Sequence, residues 1–248
     1  MQLPGPHQLL GLDASHVAAL PPAACIGDVS LHPEAASAFL ALRALAGRDG
    51  IDLRAVSGYR SFARQLLIWN GKARGERTLL DAGEHPVDAR TLSQGELLAT
   101  ILHWSALPGT SRHHWGSDLD VIDAAALAPG QQPVLERRWF EPGAPFERLG
   151  EWLGSVLGRG DGQEFFRPYQ AYGEGVAEEP WHLSFAPLSS RCEVLFDPQL
   201  LRTVLAVADL ELRELVDGCL DQLLGRYARI DPARYPDRWR PSFPRRLA

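Results

Sequence analysis

The sequence predicts an α+β fold in which helices flank a small antiparallel sheet, with a helical extension at its C-terminal end. Helical and strand patterns interleave along the 248 residues, but no three strand–helix units follow in regular order, which favours this class over a doubly wound parallel sheet. An apolar share of 45% and a charged share of 23% are typical of soluble globular chains, which excludes disorder as the main state. The chain has no GxGxxG, GxxxxGKS/T or GxSxG motif, so nucleotide-binding and serine-hydrolase interpretations are weakened.

The first third of the chain predicts an irregular segment, a helix, a strand and a second helix. Residues 1–30 are rich in Pro and Gly with weak periodicity, and we expect them to run over the surface. Residues 32–50 predict a helix, since Pro33 suits a first helical turn. Its expected apolar face comprises Phe39, Leu40, Leu42 and Leu45. Alternation over 51–58 predicts a strand, and the pattern over 61–75 predicts the next helix.

The middle of the chain begins with residues 72–92, which are charged and irregular and predict a long exposed loop. Ser93 with Glu96 three residues later forms a capping box, so a helix begins there. A short strand is predicted over 119–122, and residues 146–157 have a helical pattern.

The last third contains a predicted strand over 181–186 and a helical pattern over 198–227, which Asp209 or Gly218 interrupts. The tail from Asp231 is rich in Pro and Arg, and we expect it to pack as coil. The predicted organisation is an irregular N-terminal segment (1–30), a main domain (31–190) and a helical extension packed on that domain (191–248).

Charge and composition exclude several classes of function. Lys and Arg number 25 and Asp and Glu number 31, so a net charge of −6 gives no overall attraction to nucleic acid or anionic lipid. No stretch approaches the roughly 18 apolar residues of a membrane span. The first residues lack the features of a signal peptide, so we expect a cytoplasmic location, with export by another route left open. Three widely spaced cysteines without a CxxC motif predict small buried side chains and leave His, Asp and Glu as metal ligands.

Two of the eight histidines stand apart, because His113 and His182 each lie where a loop meets a predicted strand. Asp120 follows His113 by seven residues with Gly116 between them, so a turn could aim both side chains at one point. Two imidazoles and one carboxylate would make three zinc ligands and leave one position open, as catalytic sites do. Glu179, three residues before His182, would lie beside the metal and take a proton from the water there. The alternative is two polar loops with ordinary hydrogen-bonded histidines.

A further candidate segment, Ser-Gly-Tyr-Arg-Ser at 57–61, ends the first predicted strand and begins the following helix. Its Arg60 has a guanidinium group that can bind a carboxylate or stabilise a developing oxyanion. The alternative is an ordinary helix start, in which Ser61 caps the helix and Arg60 lies in solvent.

Three segments in order carry a family resemblance: SGYRS at 57–61 with Gln65 behind it, SxHxxGxDxD at 111–120, and EPWH at 179–182. Together they resemble the signature of the M15 zinc peptidases. That family contains VanY-type D-alanyl-D-alanine carboxypeptidases, L,D-carboxypeptidases, VanX-type dipeptidases and some phage endolysins. The resemblance runs from about residue 35 to about residue 187 and does not cover the C-terminal sixty residues.

The resemblance implies a zinc ion held by His113, Asp120 and His182. It implies that Glu179 is the general base and later the proton donor, and that Arg60 polarises the scissile carbonyl or its oxyanion. The other expected substrate contacts are Ser57, Tyr59, Gln65, Ser111 and Trp181, with Trp115 as a further wall of the pocket.

Two residues within the central motif are ambiguous. Asp118 stands where the family often has a small residue such as Ala. It could orient His113 or His182 through a hydrogen bond, or bond locally in the turn, and we favour the local role. The side chain of His114 is expected to diverge from that of His113, which leaves it out of the ligand set.

The sequence therefore predicts a zinc-dependent carboxypeptidase that hydrolyses a C-terminal bond in peptidoglycan-derived peptides, most simply releasing D-Ala. Endopeptidase or dipeptidase activity of the same family is an alternative, as is a cell-wall peptide-binding module without turnover. The module is disfavoured because all ligands and the base are present. A structural zinc protein is disfavoured because closed sites usually have four ligands, commonly including Cys, and no Cys adjoins these motifs. D,D versus L,D specificity and the oligomeric state stay open.

Overall fold

The computed structural model describes residues 2–170 and 175–243. Within them, the helices are α1 (Pro6–Leu9), α2 (Pro33–Arg48), α3 (Phe62–Ala73), α4 (Gln94–Trp104), α5 (Glu147–Gly158), α6 (Ala186–Leu195), α7 (Pro198–Val207) and α8 (Arg213–Leu223). The strands are β1 (Ala18–Ala19), β2 (Ser30–Leu31), β3 (Leu53–Ser57), β4 (Leu79–Leu80), β5 (Pro86–Val87), β6 (Asp118–Asp123), β7 (Phe165–Phe166) and β8 (His182–Phe185).

A four-stranded sheet in the order β3-β6-β8-β7 lies at the centre of the fold, and its neighbouring strands are all antiparallel. The predicted fold class is thereby confirmed. Asp120 of β6 is paired with Ser57 on one side and with His182 on the other, while Asp118 is paired with Ser184. This register places the functional segments of three strands side by side.

Over its first four residues, the strand β6 separates an apolar face from a polar face. Leu119 and Val121 join the core cluster that contains buried residues of α2 and α5. Asp118 and Asp120 lie on the other face, since successive side chains of a strand alternate. All six residues of β6 are buried, so both carboxylates lie inside the protein.

The N-terminal 30 residues correct one expectation, because parts of this segment belong to the core instead of running over the surface. Leu9 and Leu20 are buried in the main cluster, and Trp115 Nε1 donates a hydrogen bond to the carbonyl of Leu9 at 3.2 Å. Gly11, with φ of 75°, approaches the ring of His114 so closely that a Cβ would collide with it. Periodicity missed this segment because its apolar anchors are single residues at irregular spacing.

Two further expectations are corrected in the first half of the chain. Residues 72–92 are not a plain exposed loop, because β4 and β5 pair as a hairpin and Leu79 and Ala89 are buried. Strands of two residues are too short to show alternation. Leu40 is 38% exposed, because it lies off the buried face of α2. The buried residues of that helix are Ala35, Phe39, Leu42 and Ala46.

The C-terminal extension packs on the helices of the main domain. The helical pattern over 198–227 is divided into α7 and α8, and the break includes Asp209, one of the two predicted positions. Leu201 and Leu205 of α7 pack in one cluster with Trp69 of α3 and Ile101 of α4. The last part of the described chain forms short 3₁₀ turns. In residues 2–170 and 175–243, no helix combines the length and the apolar character needed to cross a membrane.

Candidate metal centre and its pocket

Three side chains from separate elements meet at one end of the central sheet. His113 lies in a 3₁₀ turn over Arg112–Trp115, Asp120 lies in β6, and His182 begins β8. The turn ends at Gly116 with φ of 69°, where a Cβ would lie 2.8 Å from the backbone nitrogen of His32. One ligand atom from each of the three side chains lies within 4.8 Å of the other two, and all three side chains are buried. The structure thus brings the three predicted ligands together.

The second ring nitrogen of each histidine faces a hydrogen-bond acceptor. Nδ1 of His113 lies 2.8 Å from the carbonyl oxygen of Gly58, and Nε2 of His182 lies 2.9 Å from Oδ2 of Asp118. Because these oxygens can only accept, the neutral histidines carry their hydrogens there. When the rings are neutral, as metal ligands are, their lone pairs lie on Nε2 of His113 and Nδ1 of His182, which are 3.6 and 3.2 Å from the carboxylate of Asp120. Metal-ligating histidines are usually oriented in this way.

The electrostatic environment of these three residues favours a cation. Oδ1 of Asp120 is buried and, although it lies 3.2 Å from His182 Nδ1, it makes no hydrogen bond of normal geometry to a described residue. Burial lowers the pKa of His113 to about 4, which keeps this ring neutral near pH 7. Burial alone would also lower the pKa of His182, but the surrounding carboxylates raise it well above its usual range. The negative field that holds a proton on His182 would equally hold a metal ion, so the donor set fits one.

Asp118 corrects the local role that we favoured from the sequence. Its Oδ2 accepts hydrogen bonds from His182 Nε2 at 2.9 Å and from Arg112 Nε at 2.8 Å, and its Oδ1 accepts one from Ser184 Oγ at 2.9 Å. Burial alone would raise its pKa, but Arg112 and His182 lower it well below its usual range. Asp118 therefore stays ionised and holds the ring of His182 in place.

The charge of Asp118 is balanced by a buried arginine that reaches the C-terminal extension. The Arg112 guanidinium donates to Glu193 Oε1 at 2.5 Å, to Ser184 Oγ at 2.8 Å and to the Tyr235 hydroxyl at 3.1 Å. Tyr235 in turn donates to Glu193 at 3.2 Å. Sequence reasoning missed these partners, because they lie far along the chain and belong to no motif.

Glu179 lies beside the three candidate metal ligands. Its Oε2 is 3.2 Å from Nδ1 of His182, and its side chain is 14% exposed. It borders the same cavity as the three candidate ligands. A carboxylate in this place can reach a water molecule in the cavity.

Arg60 also borders this cavity and is held by two side chains. Its Nη1 donates to Oε1 of Gln65 at 2.9 Å, and its Nη2 lies 3.5 Å from Oγ of Ser57. Gln65 is fully buried and also donates to the carbonyl of Ala106 at 2.7 Å. Ser61 does cap α3, but Arg60 is not the solvated residue of that alternative. Ser57 and Gln65 thus position Arg60, and neither of them borders the cavity.

The remaining expected contacts differ in their position. Ser111 and Trp181 border the cavity. Tyr59 does not, because its hydroxyl donates to the carbonyl of Gly11 at 3.3 Å and its ring meets that of His16 edge-on at 5.5 Å. Tyr59 is therefore corrected to a residue that holds the N-terminal segment.

Two neighbours of His113 lie outside the cavity. The ring nitrogens of His114 bond to the Arg60 carbonyl at 2.5 Å and to the Gly109 backbone nitrogen at 3.1 Å, so this ring diverges from the ligand group as predicted. Trp115 stacks under the guanidinium of Arg112 at 4.8 Å and does not form the expected pocket wall.

The candidate ligands open on a cavity of about 270 Å³. Several of its lining residues belong to no motif and were missed from the sequence: Lys72, Leu80, Trp104, Leu135, Tyr169, Val176 and Tyr227. The ring of Tyr169 meets that of His182 edge-on at 5.0 Å. One signal was available for Lys72, since it follows Gln65 by seven residues and two helical turns bring it to the same face of α3.

Comparisons with known proteins give a family and a fold. A family model described as VanY, D-alanyl-D-alanine carboxypeptidase, matches residues 28–188. Two uncharacterized proteins of Haemophilus influenzae are each 36% identical, one over 95 residues (38% of this chain, 72% of the relative) and one over 102 (41% and 69%). The solved structure of VanYB in complex with D-alanine-D-alanine is 19% identical with a TM-score of 0.50, covering 78% of this chain and 93% of that one. At this identity, the structural likeness shows the fold.

Proposed function

Because the chain belongs to the VanY family of D-alanyl-D-alanine carboxypeptidases, we propose that it releases D-Ala from the C-terminal end of peptidoglycan-type peptides in a zinc-dependent reaction. The observation that carries this proposal is the buried group of His113, Asp120 and His182. The second ring nitrogen of each histidine faces a hydrogen-bond acceptor that orients the ring. Two imidazoles and one carboxylate form a donor set typical of catalytic zinc. Zinc held there supplies Lewis acidity to the scissile carbonyl and to the attacking water.

Glu179 carries the proton in this reaction. As the water attacks the scissile carbonyl, the Glu179 carboxylate accepts one of its protons and then delivers it to the nitrogen of the departing D-Ala. The 3.2 Å separation between Glu179 Oε2 and His182 Nδ1 supports this role, because it places the base at the edge of the metal group.

Arg60 stabilises the negative charge that develops on the carbonyl oxygen. Its guanidinium is held by Gln65 before substrate arrives, so little reorganisation accompanies the reaction. The aromatic rings of Trp181 and Tyr169 border the cavity and limit the access of bulk water to the reacting groups.

The experiment is a turnover assay on purified protein, first stripped of metal and then given one equivalent of zinc. The substrates are acyl-Lys-D-Ala-D-Ala, a peptide that ends in an L-centre followed by D-Ala, free D-Ala-D-Ala, and a longer peptide that carries D-Ala internally. We expect zinc-dependent release of D-Ala from the first substrate. The Asp120→Ala variant is the control for contaminating peptidases.

Each other result assigns a different function. Turnover of only the second substrate would identify an L,D-carboxypeptidase, turnover of the free dipeptide alone a dipeptidase, and internal cleavage an endopeptidase. Zinc-loaded protein that binds these peptides without cleaving any of them would contradict the proposal and favour the binding module.

A further inference from the structure

A half-buried lysine, Lys72, borders the candidate pocket and has no carboxylate partner in the described part of the chain. Its Nζ donates to Oγ of Ser105 at 2.7 Å, and no described carboxylate oxygen lies within 4.0 Å of it. Burial lowers the pKa of this ammonium to about 8, an effect that the charge of Glu179 partly opposes. A cation shielded from water is unfavourable unless an anion balances it. The described residues of the pocket therefore leave this charge unbalanced.

The other cations of the pocket are occupied differently. Arg112 is balanced by the carboxylates of Asp118 and Glu193. Arg60 is held by Gln65, and the metal ligand Asp120 is among the charges that act on it. Among the residues that the structure describes, Lys72 is thus the pocket cation that has neither a carboxylate partner nor a role at the reacting carbonyl.

Lys72 lies beyond Arg60 along the pocket wall. Gln65 and Lys72 share one face of α3 and are about 10 Å apart along the helix axis, given a rise of about 1.5 Å per residue. Both bond to the chain just after α4, Gln65 at the carbonyl of Ala106 and Lys72 at the hydroxyl of Ser105. The charges that act most on Lys72 are those of Glu179, Arg60 and Arg77, and no metal ligand is among them. The wall of the pocket therefore has one cation, Arg60, near the candidate metal ligands and a second one, Lys72, farther from them.

We propose that the ammonium of Lys72 binds the free carboxylate of the substrate's last residue and so restricts the enzyme to exopeptidase cleavage. This inference rests on the proposed function, because the departing residue of a carboxypeptidase carries that carboxylate next to the scissile bond. In an endopeptidase substrate, a neutral amide occupies the same place and cannot balance the lysine.

The test compares acyl-Lys-D-Ala-D-Ala with the same peptide ending in a carboxamide, so that only the terminal charge differs. Binding is measured by calorimetry on zinc-loaded protein in a Glu179→Gln background, in which turnover is stopped. We expect the free acid to bind about tenfold or more tightly than the carboxamide, as for a charge-assisted hydrogen bond. Lys72→Met should remove this difference by weakening the free acid alone. Arg64→Met, which removes an exposed cation from the same helix, should keep it.

Three results would overturn the inference. In the first, the protein that retains Lys72 binds the free acid and the carboxamide equally. This result can be obtained even if the Lys72 variant does not fold. Lys72→Met could keep the discrimination, or it could weaken both ligands alike and so reveal a packing role. A protein that discriminates as expected but, with Glu179 restored, cleaves neither peptide would retain the carboxylate site and refute the proposed function, so the two failures are distinguishable.

Discussion

Oδ2 of Asp118 lies 2.9 Å from Nε2 of His182, so a carboxylate outside the predicted ligand set orients one of the ligands. Asp118→Asn removes the charge that fixes this ring, and such partners typically contribute 10- to 100-fold to metal affinity. We therefore expect zinc affinity to fall by about 10- to 100-fold, measured by competition with a chromophoric chelator.

A control for this change lies on the same strand. Asp123 is buried and accepts hydrogen bonds from the backbone nitrogens of Asp52 and Ala125, both at 3.0 Å, without contacting a candidate ligand. Asp123→Asn should lower Tm and leave zinc affinity unchanged. Equal losses of zinc affinity in the two variants would show that general destabilisation, and not the contact with His182, is responsible.

The candidate ligands predict the metal content of the protein. His113→Ala, Asp120→Ala and His182→Ala each remove one of three donors, so each should reduce zinc from about one ion per chain to a small fraction. Elemental analysis after gel filtration measures this. His7→Ala, at an exposed histidine, is the control. Full zinc content in all three variants would show that the metal binds elsewhere.

Glu179 is expected to act as base without holding the metal. Glu179→Gln keeps the shape of the side chain but cannot accept a proton, so kcat should fall by about a hundredfold or more while zinc content is unchanged. Steady-state kinetics with parallel zinc analysis tests this, and Glu178→Gln is the neighbouring control. Loss of zinc with retained activity would reverse the assignment.

Arg60→Lys separates oxyanion stabilisation from a simple charge. A lysine keeps the charge but lacks the planar fork that Gln65 holds in place. We expect kcat/KM to fall by about 100- to 1000-fold, as for the loss of one oxyanion donor, with little change in Tm. Arg64→Lys on the exposed side of α3 should behave as wild type. Unchanged kcat/KM in Arg60→Lys would remove this residue from the reacting centre.

Binding of the free-acid peptide should weaken at alkaline pH. Burial lowers the pKa of Lys72 to about 8, with Glu179 raising it and Arg60 and Arg77 lowering it. The ammonium is therefore charged below this pH and loses its proton above it. Between about pH 7 and 10, Kd of the free acid should rise, by no more than about tenfold per pH unit because one proton is involved, and should level off near the Kd of the carboxamide. A parallel rise for the carboxamide would assign the effect to a different group.

The part of the site that could be predicted consists of residues that lie close together in the sequence. The turn at Gly116 brings His113 and Asp120 together within one segment, and the sheet register adds His182. Tyr59 was expected to contact substrate, but its hydroxyl bonds to the carbonyl of Gly11, and nothing in the local motif marks the N-terminal segment as its partner.

Long-range contacts were beyond the reach of the sequence. Arg112 is 81 residues from Glu193 and 123 residues from Tyr235, and nothing local marks those two side chains as its partners. The fold class followed from the interleaved patterns, whereas the hairpin of β4 and β5 and the buried N-terminal anchors did not, since neither produces a periodic signal.

The bond between Tyr235 and Arg112 also has a consequence for the order of events during biosynthesis. Chains emerge from the ribosome N-terminal end first, and domains fold as their residues become available. A nascent chain that already contains His113, Asp120 and His182 still lacks the hydroxyl that donates to Glu193 beside the buried guanidinium. The hydrogen bonds that link His182 through Asp118 and Arg112 to Tyr235 are thus complete only after residue 235 has been translated and has left the exit tunnel.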